Sequence, residues 1–416
     1  MKTGIVLDFP FIRQQADFCN GFLTGQMRDL KLLTALQPIY SLAHKRVIGY
    51  EALLRAKNKN KDWISPASLF EQVNSPLEQI HLDRLSRCIH VHNFKLVNDP
   101  LNWLFLNVSP ETIIRGKAFG SYFNDLLEAF DFPPHRVVIE VVEQPISDND
   151  LLLNTIQYYK EMGCLIAIDD FGAGHSNFDR IWTLKPDIVK LDRSFMVKAS
   201  TQSNTRSMMS GIVSLIHQAG ALALIEGIET MDQALLAIEC DADFVQGFFF
   251  SRPVTDLAMP LEPFQDFTVL FDSFKAASNR AMNDFRNQIC GYDRIFKTAV
   301  KDLKSGLPFE TSVVRLLTDT RVVRCYQIGV DGIQIGSTLV SDLYTTVSDK
   351  RYKPLDDAKS ADWFRRHYLQ RAIYHPEQLQ VTRPYLSISG AHMCVTLSMK
   401  FSAADSESVL CCDLSV

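Results

Sequence analysis

Six short apolar runs along this chain each end on a polar residue able to hold a metal ion or a proton. They are VIGYEALLR with Glu51, WLFLNVS with Asn107, RVVIEVVE with Glu140, LIAIDDFG with Asp169 and Asp170, DIVKLDR with Lys190, and ALALIEGIE with Glu226 and Glu229. Runs of this length, rich in Val, Ile and Leu and separated by helix-like stretches, predict parallel strands covered on both faces. A carboxylate at the end of such a strand does not serve packing, because burying an unpaired charge is costly. In a closed parallel barrel these groups would gather on one rim, where barrel enzymes keep their chemistry.

The same pattern predicts eight strands. LQPIYSL and VIGYEALLR come first, joined by the polar turn from Ala43 to Arg46. A helix-rich stretch opens at Ser65-Pro66, with proline at an early helical position, and runs to about Leu96. After the strand ending near Asn107, strands are expected at Val137 to Val142, Leu165 to Asp169, Ile188 to Leu191, Leu222 to Ile225 and Phe244 to Phe250. Helices are expected at Tyr122 to Phe130 and Asp148 to Met162. An α/β fold follows, a (β/α)8 barrel over residues 1–257.

From about Pro260 to Leu303 the period changes. Phe267, Leu270, Phe271, Phe274, Phe285, Ile289, Tyr292, Phe296, Val300 and Leu303 recur at spacings of three and four or their sums. This predicts a long amphipathic helix over residues 258–304, with a break allowed near Cys290-Gly291. Such a helix either lies on a flanking domain or carries a signal or a dimer contact. Past Ser305 the chain turns β-rich, with a hairpin around Val330-Asp331-Gly332 and further strands in PYLSISG, HMCVTLSMKF and SVLCCDLSV. With the helical DWFRRHYLQRAI, residues 305–416 read as a small α+β domain with a mostly antiparallel sheet.

Composition narrows the class. Two domains suit 416 residues, and 46% hydrophobic with 22% charged residues is ordinary for a globular protein. A net charge of −5 gives no basic footprint for duplex nucleic acid. The start, MKTGIVLDFPFIRQQ, lacks the apolar core of a signal peptide, and no apolar run reaches the ~18 residues of a membrane span. Nine scattered cysteines without a C-x-x-C point to reduced thiols and a cytoplasmic protein. The vicinal Cys411 and Cys412 are either redox-active or two small residues on a terminal strand.

The rim's donors are all oxygens: Glu51, Asn107, Glu140, Asp169, Asp170, Glu226 and Glu229. No His or Cys stands at a matching position, which selects Mg²⁺ or Mn²⁺ over zinc. So many carboxylates suit two ions better than one, and two ions suit displacement at a phosphodiester. Lys190 adds a fixed positive charge, and Glu226 is a candidate general base. Any one strand-terminal glutamate is ordinarily a surface residue, and Asp-Asp-Phe-Gly-Ala-Gly alone could be a turn. Coincidence across six strand ends carries the argument. The histidines, among them His90 and His92, lack metal-ligand spacing and read as ordinary.

Eight motifs in order then make a specific resemblance. They are Gln37-Pro38-Ile39, Glu51-Ala52-Leu53-Leu54-Arg55, Asn107-Val108-Ser109-Pro110, Glu140-Val141-Val142-Glu143, Asp169 to Gly174, Lys190 to Phe195, Glu226 to Thr230, and Gln246-Gly247-Phe248. Over about residues 30 to 255 the chain resembles the EAL family of bacterial cyclic di-GMP phosphodiesterases. The resemblance implies a barrel with one antiparallel strand and hydrolysis of cyclic di-GMP to linear pGpG with Mg²⁺ or Mn²⁺. It implies metal ligation by Glu51, Asn107, Glu140, Asp169, Asp170 and Glu229, and water activation by Lys190 and Glu226. Glu143 matches an acidic residue bracing the loop after Asp170, and Arg55 matches an arginine on a substrate phosphate. Gln37, Leu53 and Asp192 match ligand contacts. Ala56 and His175-Ser176-Asn177 depart from the family pattern without removing a catalytic atom. Receptors that bind the dinucleotide without cutting it usually lose metal ligands; this chain keeps them all.

The tail is similar to Cache-type, PAS-like sensory domains, with Trp363, Arg366, Tyr368, Tyr385 and Asp413 at positions that often line a small-ligand pocket. The implied whole is a homodimeric phosphodiesterase whose tail domain acts through the long helix. The alternative for the tail is a packing or dimerising domain with an empty pocket.

Overall fold

The computed structural model describes residues 7–65, 68–69, 73, 75–97, 101–115, 122–142, 149–173, 178–258, 264–343, 358–387, 393–403 and 406–415. The chain divides into two compact units, Met1–Ala276 and Ala277–Val416.

In the first unit, strands β1 (Ala16–Cys19), β2 (Phe22–Met27), β3 (Leu30–Ser41), β4 (Arg46–Lys57) and β5 (Trp63–Ile64) precede β6 (Trp103–Val108) and β7 (Val137–Val142). Strands β8 (Leu165–Phe171), β9 (Ile188–Leu191), β10 (Leu222–Ile225) and β11 (Phe244–Val245) follow. Hydrogen bonding runs β3-β11-β10-β9-β8-β7-β6-β4, and β4 pairs back to β3, which closes an eight-stranded barrel. β3 is antiparallel to both β4 and β11, and the remaining neighbours are parallel. β1 and β2 continue the sheet outward from β3 as an antiparallel hairpin.

Side chains alternate across each strand, so every second residue enters the barrel. One inner layer is apolar: Ile39, Phe105, Val138, Ala167, Ile188, Leu224 and Phe244 pack together. Outside, the strands meet a larger core shared with the helices. The Pro76–Leu96 helix is typical: Ser75 caps it by accepting from the Glu78 N–H, and Ile80, Leu85, Ile89 and Phe94 are buried. β11 ends at Val245 rather than reaching Phe250. Gly247 turns the chain so close to Ile228 that a Cβ there would lie 2.1 Å from the Ile228 carbonyl oxygen.

The second unit holds β12 (Val322–Gly329), β13 (Gln334–Val340), β14 (Gln380–Val381), β15 (Tyr385–Leu386), β16 (Met393–Ala403) and β17 (Ser406–Ser415). They form an antiparallel sheet in the order β13-β12-β17-β16-β14, with β15 also on β16. One face packs Cys325, Leu397, Met399, Leu410 and Cys412 against Tyr292, Phe296 and Val300. The other packs Tyr326, Ile328, Val409 and Cys411 against Tyr368 and Leu369 of the His367–Tyr374 helix. Cys411 and Cys412 therefore face opposite sides of β17, both as free thiols. The long helix runs unbroken from Phe267 to Lys304, through Cys290-Gly291. No described helix is long and apolar enough to cross a membrane.

Candidate active site at the barrel rim

One step beyond the apolar inner layer, two residues toward the same end of the barrel, stands a polar layer. Phe105 leads to Asn107, Val138 to Glu140, Ala167 to Asp169, Ile188 to Lys190, Leu224 to Glu226 and Phe244 to Gln246. On β3, which runs the other way, the step is backward, from Ile39 to Gln37. Gln37 is paired in register with Glu51, and Asn107 with Glu140. Strand alternation and barrel closure alone therefore bring these groups onto one rim.

Lys190 is the hub, 1% exposed. Its Nζ lies 2.5 Å from Glu140 Oε1, 2.7 Å from Glu226 Oε1, 2.8 Å from Asp169 Oδ1 and 3.9 Å from Glu51 Oε1. Burial works against the ammonium, but Asp169, Glu140, Glu226 and Glu51 outweigh it and hold its pKa well above that of an ordinary lysine. Four carboxylates around one cation leave an excess of negative charge. Burial raises the Glu140 carboxyl well above the usual range, against the pull of Lys190 and with the push of Glu51 and Asp169. Glu226 is pushed up to about 8, again by burial first, against Lys190.

Glu51 is held from two sides. Asn107 Nδ2 donates to its Oε1 at 3.2 Å, and Gln246 Nε2 donates to its Oε2 at 2.8 Å. Gln246 stands in one of the eight motifs without an assigned role, and the two-residue step from Phe244 puts it on the rim. Asp169 and Asp170 are adjacent, and a regular strand would send them to opposite faces. A bulge between Ile168 and Phe171, with Asp170 at φ 55°, turns both to the rim. Aspartate tolerates this left-handed conformation better than most residues, because its short side chain can hydrogen-bond locally. Burial, then the Asp169 charge, raises the Asp170 carboxyl.

This set fits a divalent cation. Donor oxygens of Asp169, Asp170 and Glu226 lie within 4.8 Å of one another. Glu140 Oε2, wholly buried, has no hydrogen-bond partner among the described residues. An all-oxygen, carboxylate-rich set is the chemistry of a hard ion.

The raised carboxyls carry a measurable consequence. Glu226 holds its proton to about pH 8 when folded, against an ordinary value near 4.5 when unfolded. Its contribution to stability is therefore full below the unfolded value and is lost as pH rises toward 8. Chelated protein should melt at progressively lower temperature from about pH 5 to about pH 8, and Mn²⁺ should stabilise it more as pH rises, because the ion displaces a proton. Scanning calorimetry with chelator and with Mn²⁺ checks this. A chelated melting temperature flat across that range would mean that Glu226 carries no proton there.

The other expected residues are spread around the rim. Gln37 Nε2 donates to the Ser251 carbonyl at 3.2 Å. Arg55 follows Glu51 and Leu53 on the same face of β4, half-buried, and burial lowers its pKa against the Glu51 charge. Asp192 accepts from the Ser194 N–H at 2.9 Å and caps the Arg193–Thr201 helix. Glu229 stands outside the Asp169–Asp170–Glu226 cluster and pairs with Arg193 at 2.9 Å. Glu143 and His175-Ser176-Asn177 lie outside the described residues. A cavity opens beside the cluster, lined by Gln37, Glu51, Arg193, Glu226, Gln246 and Phe248 among others.

In the second unit a small cavity is lined by Trp363, Arg366, Tyr368 and Tyr385, with Arg324, Tyr326 and Gln334. Asp413 lies beneath it, fully buried, accepting from Arg324 Nε at 2.7 Å, Thr396 Oγ1 at 2.7 Å and the Tyr326 hydroxyl at 3.2 Å. The Arg366 guanidinium lies over the Trp363 and Tyr385 rings, 5.8 and 6.0 Å from their centroids.

Known proteins share this architecture. The chain is 34% identical over 172 residues to the cyclic di-GMP phosphodiesterase RocR of Pseudomonas aeruginosa, covering 41% of this chain and 42% of RocR. It is 28% identical over 236 residues to the probable cyclic di-GMP phosphodiesterase PdeN of Escherichia coli, covering 55% of this chain and 44% of PdeN. The chain thus spans less than half the length of these relatives. The Bacillus subtilis YkuI protein, solved with an EAL domain in complex with substrate c-di-GMP and calcium, superposes with a TM-score of 0.78. That match covers 92% of this chain and 96% of YkuI at 22% identity, a likeness of fold. Residues 23–253, more than half of the sequence, match the EAL domain, and with the closed barrel and its single reversed strand the chain belongs to the EAL domain family.

Proposed function

We propose that this chain is a cyclic di-GMP phosphodiesterase that hydrolyses one phosphodiester to give linear pGpG. The observation that carries the reading is the convergence of Glu51, Glu140, Asp169 and Glu226 on the buried Lys190 at one barrel rim. Relatives named as phosphodiesterases of the same dinucleotide support the substrate. Glu51, Asn107, Glu140, Asp169 and Asp170, with Glu229, would hold Mg²⁺ or Mn²⁺, in a number of carboxylates suited to two ions. Such ions supply charge neutralisation for the attacking and leaving oxygens.

The chain's own residues do the rest. Glu226 accepts the proton of the attacking water, and Lys190 fixes the orientation of Glu226 and Asp169 through its ammonium. Gln246 and Asn107 keep the Glu51 carboxylate from rotating. Arg55, whose planar fork suits an anionic oxygen pair, binds a phosphate of the substrate. Gln37, Leu53 and Asp192 contribute to the ligand's surroundings. Incubation of purified protein with cyclic di-GMP and Mn²⁺ should yield pGpG by chromatography. Binding without product under every ion tried would favour a silent receptor, the alternative that the complete set of rim residues argues against.

The second unit is proposed as a PAS-like sensory domain, since Trp363, Arg366, Tyr368 and Tyr385 meet at one cavity above the buried Asp413. A small ligand there would regulate the barrel in a cytoplasmic homodimer.

A further inference from the structure

Two charged side chains at the lip of the rim cavity hold each other rather than the cluster. Arg193 Nη2 lies 2.9 Å from Glu229 Oε2, with side-chain exposures of 56% and 38%. Neither is placed by chance. Arg193 is the first residue of a helix whose N-cap, Asp192, is fixed by the Ser194 N–H. Its stem lies against Gly227, at φ 65°, where a Cβ would meet the Arg193 Cβ and Cγ at 2.5 Å. The Glu229 backbone is pinned in turn. Its N–H donates to Gln233 Oε1 at 2.8 Å, and Thr230 and Gln233 complete a capping box. Only the Glu229 carboxylate is left a choice of partner.

We propose that Arg193 is a positioning residue that holds Glu229 off the Asp169–Asp170–Glu226 cluster, so that a divalent cation must compete with the guanidinium for that carboxylate. This rests on the reading of the rim as a cation site. The partial exposure of the pair matters: a solvent-screened ion pair is weak enough to be displaced. Arg193 also lines the cavity, so an anionic ligand entering it offers the guanidinium a second partner and frees Glu229. Cation and ligand binding would then reinforce each other through one side chain.

The test is a titration of Mn²⁺ by electron paramagnetic resonance and calorimetry, without nucleotide, on the full chain. Arg193→Met keeps the stem over Gly227 and removes the charge. It should bind Mn²⁺ about two- to fivefold tighter, the range of an exposed ion pair, and Arg193→Lys should return toward wild type. Glu229→Gln should bind more weakly, and the double variant Arg193→Met with Glu229→Gln should match Glu229→Gln alone. If the double variant keeps the gain, Arg193 acts only through its field, and the proposal fails. It fails equally if Arg193→Met binds like wild type. Absence of Mn²⁺ binding to the wild type would overturn the cation reading of the rim and this proposal together.

Discussion

Replacing Glu226 by Gln should lower kcat by about two to four orders of magnitude, the usual contribution of a general base, while leaving a folded barrel. The amide keeps the shape of the carboxyl but cannot take up the water's proton. Glu226 is one of four carboxylates on Lys190, and its carboxyl is already raised to about 8, so neutralising it relieves rather than creates charge imbalance. The melting temperature of chelated protein should therefore be preserved or raised. Because Glu226 oxygens lie with those of Asp169 and Asp170, the assay must be run over rising Mn²⁺. Turnover that returns at high Mn²⁺ would mark Glu226 as a ligand, and near-normal turnover throughout would remove it from the chemistry.

Lys190→Met should do the opposite to stability. The side chain is 1% exposed, and Glu140 beside it is wholly buried. Removing one partner of a buried ion pair leaves the other uncompensated, which costs about 3–5 kcal/mol. For a unit of this size that is a fall of roughly 10 °C in melting temperature. A divalent ion can replace the missing charge, so saturating Mn²⁺ should recover much of the loss by binding only the folded state. Turnover should stay low, because the ammonium that orients Glu226 and Asp169 is gone. Differential scanning calorimetry with and without Mn²⁺ decides it. A chelated variant that melts with the wild type would mean that Lys190 does not hold the cluster together.

The barrel was legible in the sequence because buried parallel strands write themselves as unbroken runs of Val, Ile and Leu, each closed by its polar terminal residue. RVVIEVVE and LIAIDDFG gave β7 and β8 within two residues of their observed ends. The hairpin of β1 and β2 was not legible: ADFC and FLTGQM carry no sustained alternation, and their pairing is set by the edge of β3. The long helix proved continuous at Gly291, where a Cβ would meet open space and glycine costs only about 1 kcal/mol against alanine.

For the site, strand-end chemistry found the cluster, since one rim collects what eight strands end on. What it left without an assigned partner were contacts fixed by closure or by a backbone turn. Gln246 reaches Glu51 across 195 residues of sequence, and the pairing of Arg193 with Glu229 depends on the positive φ of Gly227. The bulge that swings Asp169 and Asp170 together is likewise a backbone event with no side-chain signature beyond the Asp-Asp pair itself.

The reversed strand sets the order in which the molecule can be assembled. β3 and β4 are neighbours in sequence, so Gln37 and Glu51 can meet in a hairpin as soon as that segment leaves the ribosome. The other seam of the barrel, Tyr40 against Val245, joins residues two hundred positions apart and must wait for nearly the whole domain. Contacts that span such distances form late, because the chain between them must be gathered first. Glu51 receives its Gln246 hydrogen bond only when that seam shuts. A nascent or truncated chain short of β11 would thus carry most of the rim residues yet lack barrel closure and the Gln246 bond to Glu51, which ties the finished rim to completion of the fold.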